Sequence, residues 1–356
     1  MADSSQRRRM TPDFLVRVDG AELSGEAQHD VLSLTVQDDL GYPSAFSLRL
    51  GNWDDTKVDM KWSDRDVFQT GKPVAIEMGY RDRLVAIISG EITGAELSVG
   101  VEEMPVFTVR GYDRWHRLMR GKKTNSYTKM KDSDIASQIA SNLGLAAETE
   151  DSVQTIDYIL QHNQTDAEFL RARARRIGYE VFVQDTKLVY RKRKYQESQA
   201  LGMSREEDGL ELHLRLSTMQ QVSEVEIRGW DVSGKKAIVG TARRSDETAK
   251  MGGKEGGLQS ASEAFGSATA AAVMDAPSSQ AEADQLAKAA LQQKALSYIT
   301  AEGRCIGRTD LRAGAVAQID GLGTRFSGLY YIDSTRHVYT RTAGYWTEFV
   351  ARRSAA

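Results

Sequence analysis

Two short stretches of the chain are rich in basic residues. Basic side chains with aromatic rings between them can hold a polyanion or an acidic partner. The alternative is a solvated face whose charges pair with acidic neighbours, and the formal net charge of −3 over 356 residues supplies no field that attracts a polyanion. We therefore favour the solvated face. The stretches are Arg110, Arg114, Arg117, Arg120, Lys122 and Lys123 with Tyr112 and Trp115 between them, and Lys187 with Arg191, Lys192, Arg193 and Lys194.

Three clusters of acidic residues have the side chains that general acid and base catalysis uses. Each cluster lies in a predicted loop, whereas the carboxylates of a catalytic pair usually come from separate elements that converge in a pocket. We interpret all three as solvated turns, and we predict no catalytic residue and no enzyme. The clusters are Asp54-Asp55, Glu102-Glu103 and Glu206-Glu207-Asp208.

The histidines and the glycine motifs show no pattern typical of a metal or cofactor site. No two histidines have the helix or strand spacing that suits a metal, and CxxC, HExxH and GxSxG motifs are absent. The segment GGKEGG at 252–257 lacks the order of a phosphate-binding loop, and Gly321-Leu-Gly323 lacks the third glycine of a dinucleotide site. We predict no metal site and no cofactor. The histidines are His29, His116, His162, His213 and His337.

One cysteine and short apolar runs limit the class of protein. Cys305 has no second cysteine for an intrachain disulfide, and its strand-like surroundings predict a small buried side chain. The longest apolar run, Leu84–Ile88, is far shorter than the roughly 20 residues of a membrane helix, so we expect no membrane span. The polar residues after Arg7–Arg9 do not form the apolar core of a secretory signal, which predicts synthesis in the cytoplasm.

Among the elements that must position these residues is an internal repeat of about forty residues. Residues 71–110 and 314–352 share one layout. In each copy a glycine opens an alternating strand, a Ser-Gly pair starts a second, and a third ends on an aromatic residue followed by an arginine. One β unit used twice favours a building block over a catalyst. The matched features are Gly71 with Gly314, Ser89-Gly90 with Ser327-Gly328, and Phe107 and Arg110 with Phe349 and Arg352.

Three alternating runs precede the first copy of the repeat. Apolar and polar residues alternate from Phe14 to Val18, from Val31 to Val36 and from Phe46 to Leu50, and turn-forming residues bound each run. With the repeat, the first part of the chain then contains about six strands and no convincing helix. This pattern predicts a barrel or a sandwich.

Helical signals follow. Residues 132–143 and a segment that ends at Gly178 carry apolar residues at helical spacing. Two alternating strands joined at 184–186 come next, so we predict a small α+β domain. The end signals are Asp132 or Ser133 as N-cap and Gly144 as terminator of the first helix, and the capping box of Thr165 and Glu168 for the second.

Strand patterns return from about residue 210 with Leu210–Leu216, then 222–227 and 237–242. The Gly- and Ala-rich residues 249–278 predict a mobile loop. A helix from about 280 to 300, capped by Ser279 and ended by Gly303, precedes the final strands.

These patterns predict an α+β, mainly β protein of several domains, since a single core rarely organises more than roughly 300 residues. We expect two tandem tube-like antiparallel β-barrels, a small α+β domain inserted between them, and one long helix within the second barrel. The predicted division is a flexible N-terminal tail at 1–13, the first barrel at 14–113, the α+β domain at 114–204, and the second barrel at 205–353, which includes the mobile loop 249–278 and the helix 280–300.

Three segments resemble the phage late control D proteins, which are baseplate hubs of contractile tails, and through them the N-terminal hub part of VgrG spike proteins. The resemblance covers residues 14–353, and the C-terminal segment is the most specific. It combines Leu-x-x-Gly, Gly-x-x-x-Arg-Phe-x-Gly-x-Tyr-Tyr, His337 and a closing Gly-Tyr-x-Thr-x-Phe strand. The segments are PSAFSLRL at 43–50, QHNQTDAEFLRARARRIGYEVFV at 161–183, and residues 311–353.

The resemblance implies a homotrimeric structural hub in which three chains with two similar barrels each form a nearly sixfold ring. Such a hub joins a sixfold inner tube or tube-initiator protein to a threefold spike, and the open edges of its β modules are natural places for pairing in the ring. The expected location is a phage tail or contractile injection particle assembled after synthesis in the bacterial cytoplasm. A tape-measure or cargo protein in the lumen is a further partner left open.

The longer members carry a spike after the hub, whereas this sequence ends at Arg353-Ser-Ala-Ala, so we expect the spike to be a separate protein and no fused lysozyme. Two alternatives remain. One is a hydrolase of cell-wall polymer with its site in the α+β domain. The other is a polyanion-binding module that uses the basic stretches, although nucleic acid is not an expected partner.

Overall fold

The computed structural model describes residues 11–195, 200–231, 234–247, 250–272, 277 and 279–356. Over these residues the protein is mainly β, and one sheet of thirteen strands runs through two modules. The predicted α+β class with two tandem barrels is confirmed. Hydrogen bonds between a strand of the second module (residues 334–340) and a strand of the first (residues 33–39) join the two modules into one continuous sheet.

The first module is built from six main strands whose alternate side chains form one core, as the alternation from Phe14 to Val18 and from Phe46 to Leu50 predicts. Short strands and turns connect them. The elements are β1 (Pro12–Val18), β2 (Ala21–Glu22), α1 (Gly25–Asp30), β3 (Val31–Asp39), β4 (Ala45–Gly51), β5 (Trp53–Asp54), β6 (Asp59–Met60), a 3-10 turn (Asp66–Phe68), β7 (Pro73–Tyr80), β8 (Arg83–Ser98) and β9 (Val106–Asp113).

The main strands of this module lie in the order β3-β4-β9-β8-β7-β1, with antiparallel pairing throughout. Strand β1 begins at Pro12, so the predicted tail at 1–13 is too long, and residues 1–10 lie outside the described residues. Helix α1 was not predicted. Ser24 caps it by accepting a hydrogen bond from the Ala27 amide at 3.2 Å, and only Ala27 is buried, so the apolar period that indicates a helix is missing.

The next region packs two helices against two small sheets around its own apolar core. The predicted helices and the strand hairpin are all present. The elements are α2 (Trp115–Leu118), β10 (Lys123–Lys131), α3 (Asp132–Asn142), β11 (Ala146–Thr149), β12 (Thr155–Gln164), α4 (Asp166–Arg176), β13 (Tyr179–Gln184) and β14 (Lys187–Lys192).

The helix ends in this region show why one capping prediction holds and the other fails. In α4 the Thr165 hydroxyl accepts from the Glu168 amide, and the Glu168 carboxylate accepts from the Thr165 amide, which confirms the capping box. In α3 the N-cap is Lys131 and not Asp132 or Ser133. The Asp132 carboxylate instead accepts from Arg173 Nε at 2.6 Å, and this ion pair between the two helices competes with capping.

The second module contains the long helix and the second copy of the repeat. Its sheet has the order β16-β20-β23-β22, and β21 and β15 follow beside β22, with the β15–β21 pair parallel. The elements are β15 (Leu201–Ser204), α5 (Arg205–Asp208), β16 (Glu211–Leu216), β17 (Glu224–Asp231), β18 (Lys236–Arg243), a 3-10 turn (Arg244–Asp246), α6 (Gly257–Phe265), β19 (Thr269–Ala272), α7 (Gln280–Ala295), β20 (Ile299–Ile306), β21 (Val316–Asp320), α8 (Gly323–Phe326), β22 (Gly328–Thr340) and β23 (Gly344–Arg353).

The predicted helix at 280–300 begins at the expected Ser279 cap but ends at Ala295. The following residues enter β20, which pairs with β16 on one side and β23 on the other, and this pairing overrides the helical period. Gly303 therefore does not end a helix. It lies within β20, where an added Cβ would come within 2.6 Å of the Leu212 and Phe349 side chains.

The predicted mobile loop at 249–278 is wrong over residues 257–272, which contain α6 and β19. Leu258 and Ala261 are buried, and Gly257 lies so close to Tyr298 that a Cβ would meet the ring at 2.4 Å. Small residues here permit close packing. Residues 249, 273–276 and 278 of the predicted loop lie outside the described residues.

Candidate functional site

The two modules are joined by strand pairing that we call the intrachain joint. Residues 334–340 of β22 extend beyond the second module and pair with residues 33–39 of β3. Two tyrosines of the β22–β23 hairpin reach the first core. The Tyr339 ring lies 4.8 Å from the Phe14 ring, and Tyr345 is buried among the first module's apolar side chains. The second module thus supplies part of the first module's core.

Polar side chains tie the joint on one side. Arg312 donates from Nε to the Asp38 carboxylate at 2.9 Å and from a terminal nitrogen to the Ile87 carbonyl at 2.7 Å. Asp38 also accepts from the Ser44 hydroxyl at 3.1 Å. The Arg312 bonds connect the loop before β21 to two strands of the first module, β3 and β8. A cavity of about 170 Å³ lies beside them, with Phe182 of β13 also in its wall.

Two titratable groups are buried at the joint. His337 is fully buried, its Nδ1 lies 2.8 Å from the Tyr345 hydroxyl, and burial lowers its pKa to about 3. Asp113 accepts hydrogen bonds from the Ser44 and Trp115 amides at 3.0 Å, and burial raises its pKa to about 7. Both groups have protein partners, so we interpret them as parts of the joint's packing.

Hydrogen bonds confirm the internal repeat at the level of single residues. The Gly71 amide donates to the Ile92 carbonyl at 2.7 Å, and the Gly314 amide donates to the Ile332 carbonyl at 2.8 Å. Both glycines have positive φ, +90° and +83°, a conformation that favours glycine. Directly after each isoleucine the pairing with the next strand shifts register. Ile92 and Ile332 are therefore equivalent positions.

This equivalence corrects two matches made from the sequence. Ser89-Gly90 lies inside β8, which begins at Arg83, whereas Gly328 does begin β22. In the final strands Gly111 faces Ile92 and Ala351 faces Ile332, so Gly111 and Ala351 are equivalent positions. Counting two residues back along each strand, Phe349 is equivalent to Val109 and not to Phe107. Phe107 and Phe349 still lie on the core face of their strands, because the match made from the sequence is shifted by two residues and side chains of a strand return to the same face every second residue.

Among the described residues, β8 and β16 each leave a strand edge unpaired. Residues 94–98 of β8 pair with β9 on one side, but the partner strand on the other side ends opposite Glu91. Strand β16 pairs with β20 and has no strand on its second edge. Leu97 and Val99, at and just beyond the end of β8, are 48% and 61% exposed. Unpaired edges with apolar side chains are templates for association with another chain.

The first basic stretch is largely neutralised by carboxylates. Glu91 contacts His116 at 2.9 Å and also pairs with Arg117 and Arg114. Arg110 pairs with Glu96 through two hydrogen bonds, and Lys123 lies 2.6 Å from Asp166. Trp115 is buried in the core of the inserted region and cannot stack on a ligand. The stretch is mostly a charge-paired face, as predicted.

Most of the second basic stretch is paired as well. Lys187 lies 3.3 Å from Glu148, and Lys192 lies 3.6 Å from Glu150. Arg191 donates to Glu180 at 2.8 Å, and this buried carboxylate also accepts from the Tyr331 hydroxyl of β22. The Glu180 contacts hold the inserted region against the second module.

The acidic clusters do not converge. Asp54 accepts from the Thr56 hydroxyl at 2.6 Å, and these hydrogen bonds hold its pKa well below the usual range. Glu102-Glu103 lies in the exposed connection between β8 and β9. Asp208 is buried and pairs with Arg308 at 3.2 Å. Each cluster shapes a turn or a contact in a different part of the protein.

The histidines also lie apart, and no group of three or more metal-ligating side chains occurs in the described ranges. His213 lies on β16, the open edge of the second module. Cys305 is buried in β20 as predicted, and burial raises its pKa to about 12. Within the described residues, helices of the length and apolarity needed to cross a membrane are absent.

Comparison with solved structures finds the same fold in tail proteins. The 43 kDa tail protein of prophage MuSo2 from Shewanella oneidensis is 14% identical, with a TM-score of 0.71 over 96% of this chain and 98% of that one. A tail protein from Neisseria meningitidis is 15% identical, with a TM-score of 0.67 over 96% of each chain. At these identities the likeness shows a shared fold.

A third structure extends the likeness to secretion machinery. The E. coli c3393 protein, described as a component of the type VI secretion system, is 13% identical, with a TM-score of 0.62 over 96% of this chain and 77% of that one. The predicted resemblance to tail hubs and VgrG-type proteins is thus confirmed at the level of the fold. A search of curated proteins found no match.

A family profile supplies the sequence relationship. The profile described as the Alg8 N-terminal domain matches residues 9–341, which include the first module, the inserted region and the second module as far as the end of β22. With nearly its whole length matched, the chain belongs to the Alg8 N-terminal domain family.

Proposed function

We propose that this protein is a structural hub of a contractile tail or injection-system baseplate. The observation that carries the proposal is the repeat, because one chain builds two equivalent β modules that continue into each other through the intrachain joint. The fold shared with tail proteins and with a type VI secretion component supports it. In this role the chain divides near residues 113 and 204 into a first barrel, an inserted α+β domain and a second barrel.

The hub is a homotrimer in this proposal. Three chains with two modules each give six similar modules around one axis, so a threefold assembly presents a nearly sixfold face. One face receives the sixfold inner tube or its initiator protein, and the other receives a separate threefold spike protein. The chain is synthesised in the bacterial cytoplasm and assembled into a phage tail or injection particle, whose lumen can hold a tape-measure or cargo protein.

The role is structural and not enzymatic. The acidic clusters serve separate turns and contacts, and the buried carboxyl groups at the joint have protein partners. Most cations of the basic stretches pair with carboxylates, among them Glu91, Glu148, Glu150 and Glu180, which removes the main reason for a polyanion-binding module. No specific observation favours the hydrolase alternative.

A mass measurement tests the proposal. Mass photometry of the full chain alone is expected to show three times the 39.4 kDa of one chain, and co-expression with a candidate spike protein should add the mass of the spike to that trimer. A particle that stays at the mass of one chain in both preparations would contradict the hub assignment. A matched preparation without the spike shows whether the spike is needed for assembly.

A further inference from the structure

We propose that residues 94–100 of one copy of this chain pair, as an antiparallel strand, with residues 211–217 of a second copy. The first segment is the open end of β8, and the second contains β16. The proposal rests on the proposed homotrimer and names the surfaces that join its chains. The intrachain joint is its template, because the repeat makes β8 equivalent to β22 and β16 equivalent to β3.

The equivalence of the strands follows from two rows of paired residues. In the first module the row is Ile92, Gly111, Phe46 and Val36, on β8, β9, β4 and β3. In the second module the corresponding row is Ile332, Ala351, Ala301 and Leu214, on β22, β23, β20 and β16. Each row begins at the isoleucine that precedes the register shift. Val36 of β3 and Leu214 of β16 therefore occupy the same place in their modules.

The register of the new ladder follows from these rows. In the intrachain joint Val36 pairs with His337, which lies five positions after Ile332 on β22. Five positions after Ile92 on β8 is Leu97. Leu97 of one copy therefore faces Leu214 of the next. The neighbouring pairs of the proposed ladder are Val99 with Leu212, Ser98 with His213, and Glu96 with Arg215. In the intrachain joint the equivalent pairs, in the same order, are Tyr339 with Leu34, Val338 with Thr35, and Arg336 with Gln37.

The side chains on the two open edges complement each other in this register. Leu97 and Val99 are exposed in the single chain, and Leu212 and Leu214 are only half-buried against the second core. Pairing places the two sets against each other on the core face of the sheet. On the opposite face Glu96 comes beside Arg215, an acidic side chain opposite a basic one. The strand pairing was derived from backbone register alone, so this match of side chains supports it independently.

The two edges belong to different copies. Within one chain, six strands separate β16 from β8 in the sheet, namely β20, β23, β22, β3, β4 and β9. At about 4.8 Å per strand, the two edges lie at distant points of the same sheet. Pairing between copies is head-to-tail, and such contacts form a closed ring when the rotation closes. Three intrachain and three interchain joints then alternate around the proposed trimer.

A disulfide across the predicted ladder tests the inference in the full chain. The S98C/H213C variant is expected to form interchain disulfides under mild oxidation and to run as covalent dimers and trimers on a non-reducing gel. T35C/V338C is the matched intrachain control, since it occupies the same rung of the joint, and should cross-link without a change in mass. S98C/R215C is two residues out of register and should stay unlinked.

A second variant separates loss of assembly from loss of folding. Leu97 is exposed in the single chain, so L97D should fold with an unchanged circular dichroism spectrum but lose the trimer at concentrations where the parent is trimeric. V101D places the same charge beyond the ladder and should keep the trimer. The ladder would be overturned if L97D stayed trimeric and S98C/H213C stayed unlinked while the control T35C/V338C formed its disulfide. That result would leave the hub proposal standing. A parent that stays monomeric with its spike would overturn both.

Discussion

The end of β22 in the intrachain joint and the open end of β8 are equivalent positions of the repeat, but only the first is paired with a further strand. In the joint, β22 pairs with β3, His337 is fully buried, and Tyr339 is partly buried against the first module's core. At the equivalent place on β8, Leu97 and Val99 face solvent. The backbone pattern is shared, so the difference lies in whether a partner strand is present. An exposed apolar end on a repeat whose other copy is covered indicates a partner outside the chain.

The largest expected effect comes from breaking the covered copy. Tyr345→Ala removes a buried ring that the second module inserts into the first core, and loss of a buried aromatic side chain costs about 3–5 kcal/mol. Denaturant unfolding should show this decrease in the free energy of unfolding. Val101→Ala, at an exposed site near the open end, should change it by less than about 0.5 kcal/mol. Equal effects would contradict the difference between the two ends.

The second effect depends on pH. Burial lowers the pKa of His337 to about 3, against 6.5 for an ordinary histidine. Between these values the unfolded chain binds the proton and the folded chain does not, so stability is complete above pH 6.5 and decreases as the pH falls. At about 1.4 kcal/mol per pKa unit, the decrease reaches roughly 4 kcal/mol near pH 3.

His337→Gln should flatten this pH dependence between pH 6.5 and 4, measured as the free energy of unfolding in buffers of constant ionic strength. His29→Gln is the control, because His29 is an exposed side chain away from the joint. Parallel curves for the parent and His337→Gln would show that the joint does not hold its histidine neutral.

A smaller effect tests whether the bulky side chain of Phe46 requires a glycine opposite it at position 111. Gly111 faces Phe46 in the first module, whereas the equivalent pair in the second is Ala351 and Ala301. A Cβ on Gly111 would lie 2.3 Å from the Phe46 ring and 2.2 Å from the Glu91 carbonyl. Gly111→Ala should therefore destabilise the protein by about 1–3 kcal/mol in denaturant unfolding.

The control for that substitution is Gly94→Ala, since a Cβ at Gly94 meets nothing within 4 Å. We expect it to be neutral or slightly stabilising. If both variants lose stability equally, the glycine at 111 is not required by the phenylalanine opposite it.

The smallest expected effect concerns the charged faces outside both joints. Because their cations are paired with carboxylates such as Glu91 and Glu180, the full chain should show no retention on heparin at about 150 mM salt. A basic protein of similar size serves as the positive control for the column. Strong, salt-sensitive retention would revive the polyanion-binding alternative.

Much of the fold could be predicted from local patterns. Alternation located β1, β3 and β4, and the Thr165 and Glu168 capping box located the start of α4, because these signals lie within a few residues of each other. The end of α7 was missed because pairing of β20 with two distant strands decides it. The helix at 257–265 was missed because the Gly- and Ala-rich composition around it outweighed the helical spacing of its two buried apolar side chains, Leu258 and Ala261.

The candidate site was less accessible to sequence reasoning. The repeat could be found, but its register could not, since the register depends on the pairing shifts after Ile92 and Ile332. The pairing of β22 with β3 joins residues about 300 positions apart and left no local signal. One sequence signal was available: Leu97, Val99 and Val101 continue the alternation past the point where the strand partner ends.

The most direct test is an electron cryo-microscopy map of the assembled particle at a resolution that separates strands. The account predicts a threefold ring of six similar modules, with residues 94–100 of each chain hydrogen-bonded to residues 211–217 of the next in the register of the intrachain joint. A ring joined through other surfaces, with the open edges of β8 and β16 facing solvent, would contradict it.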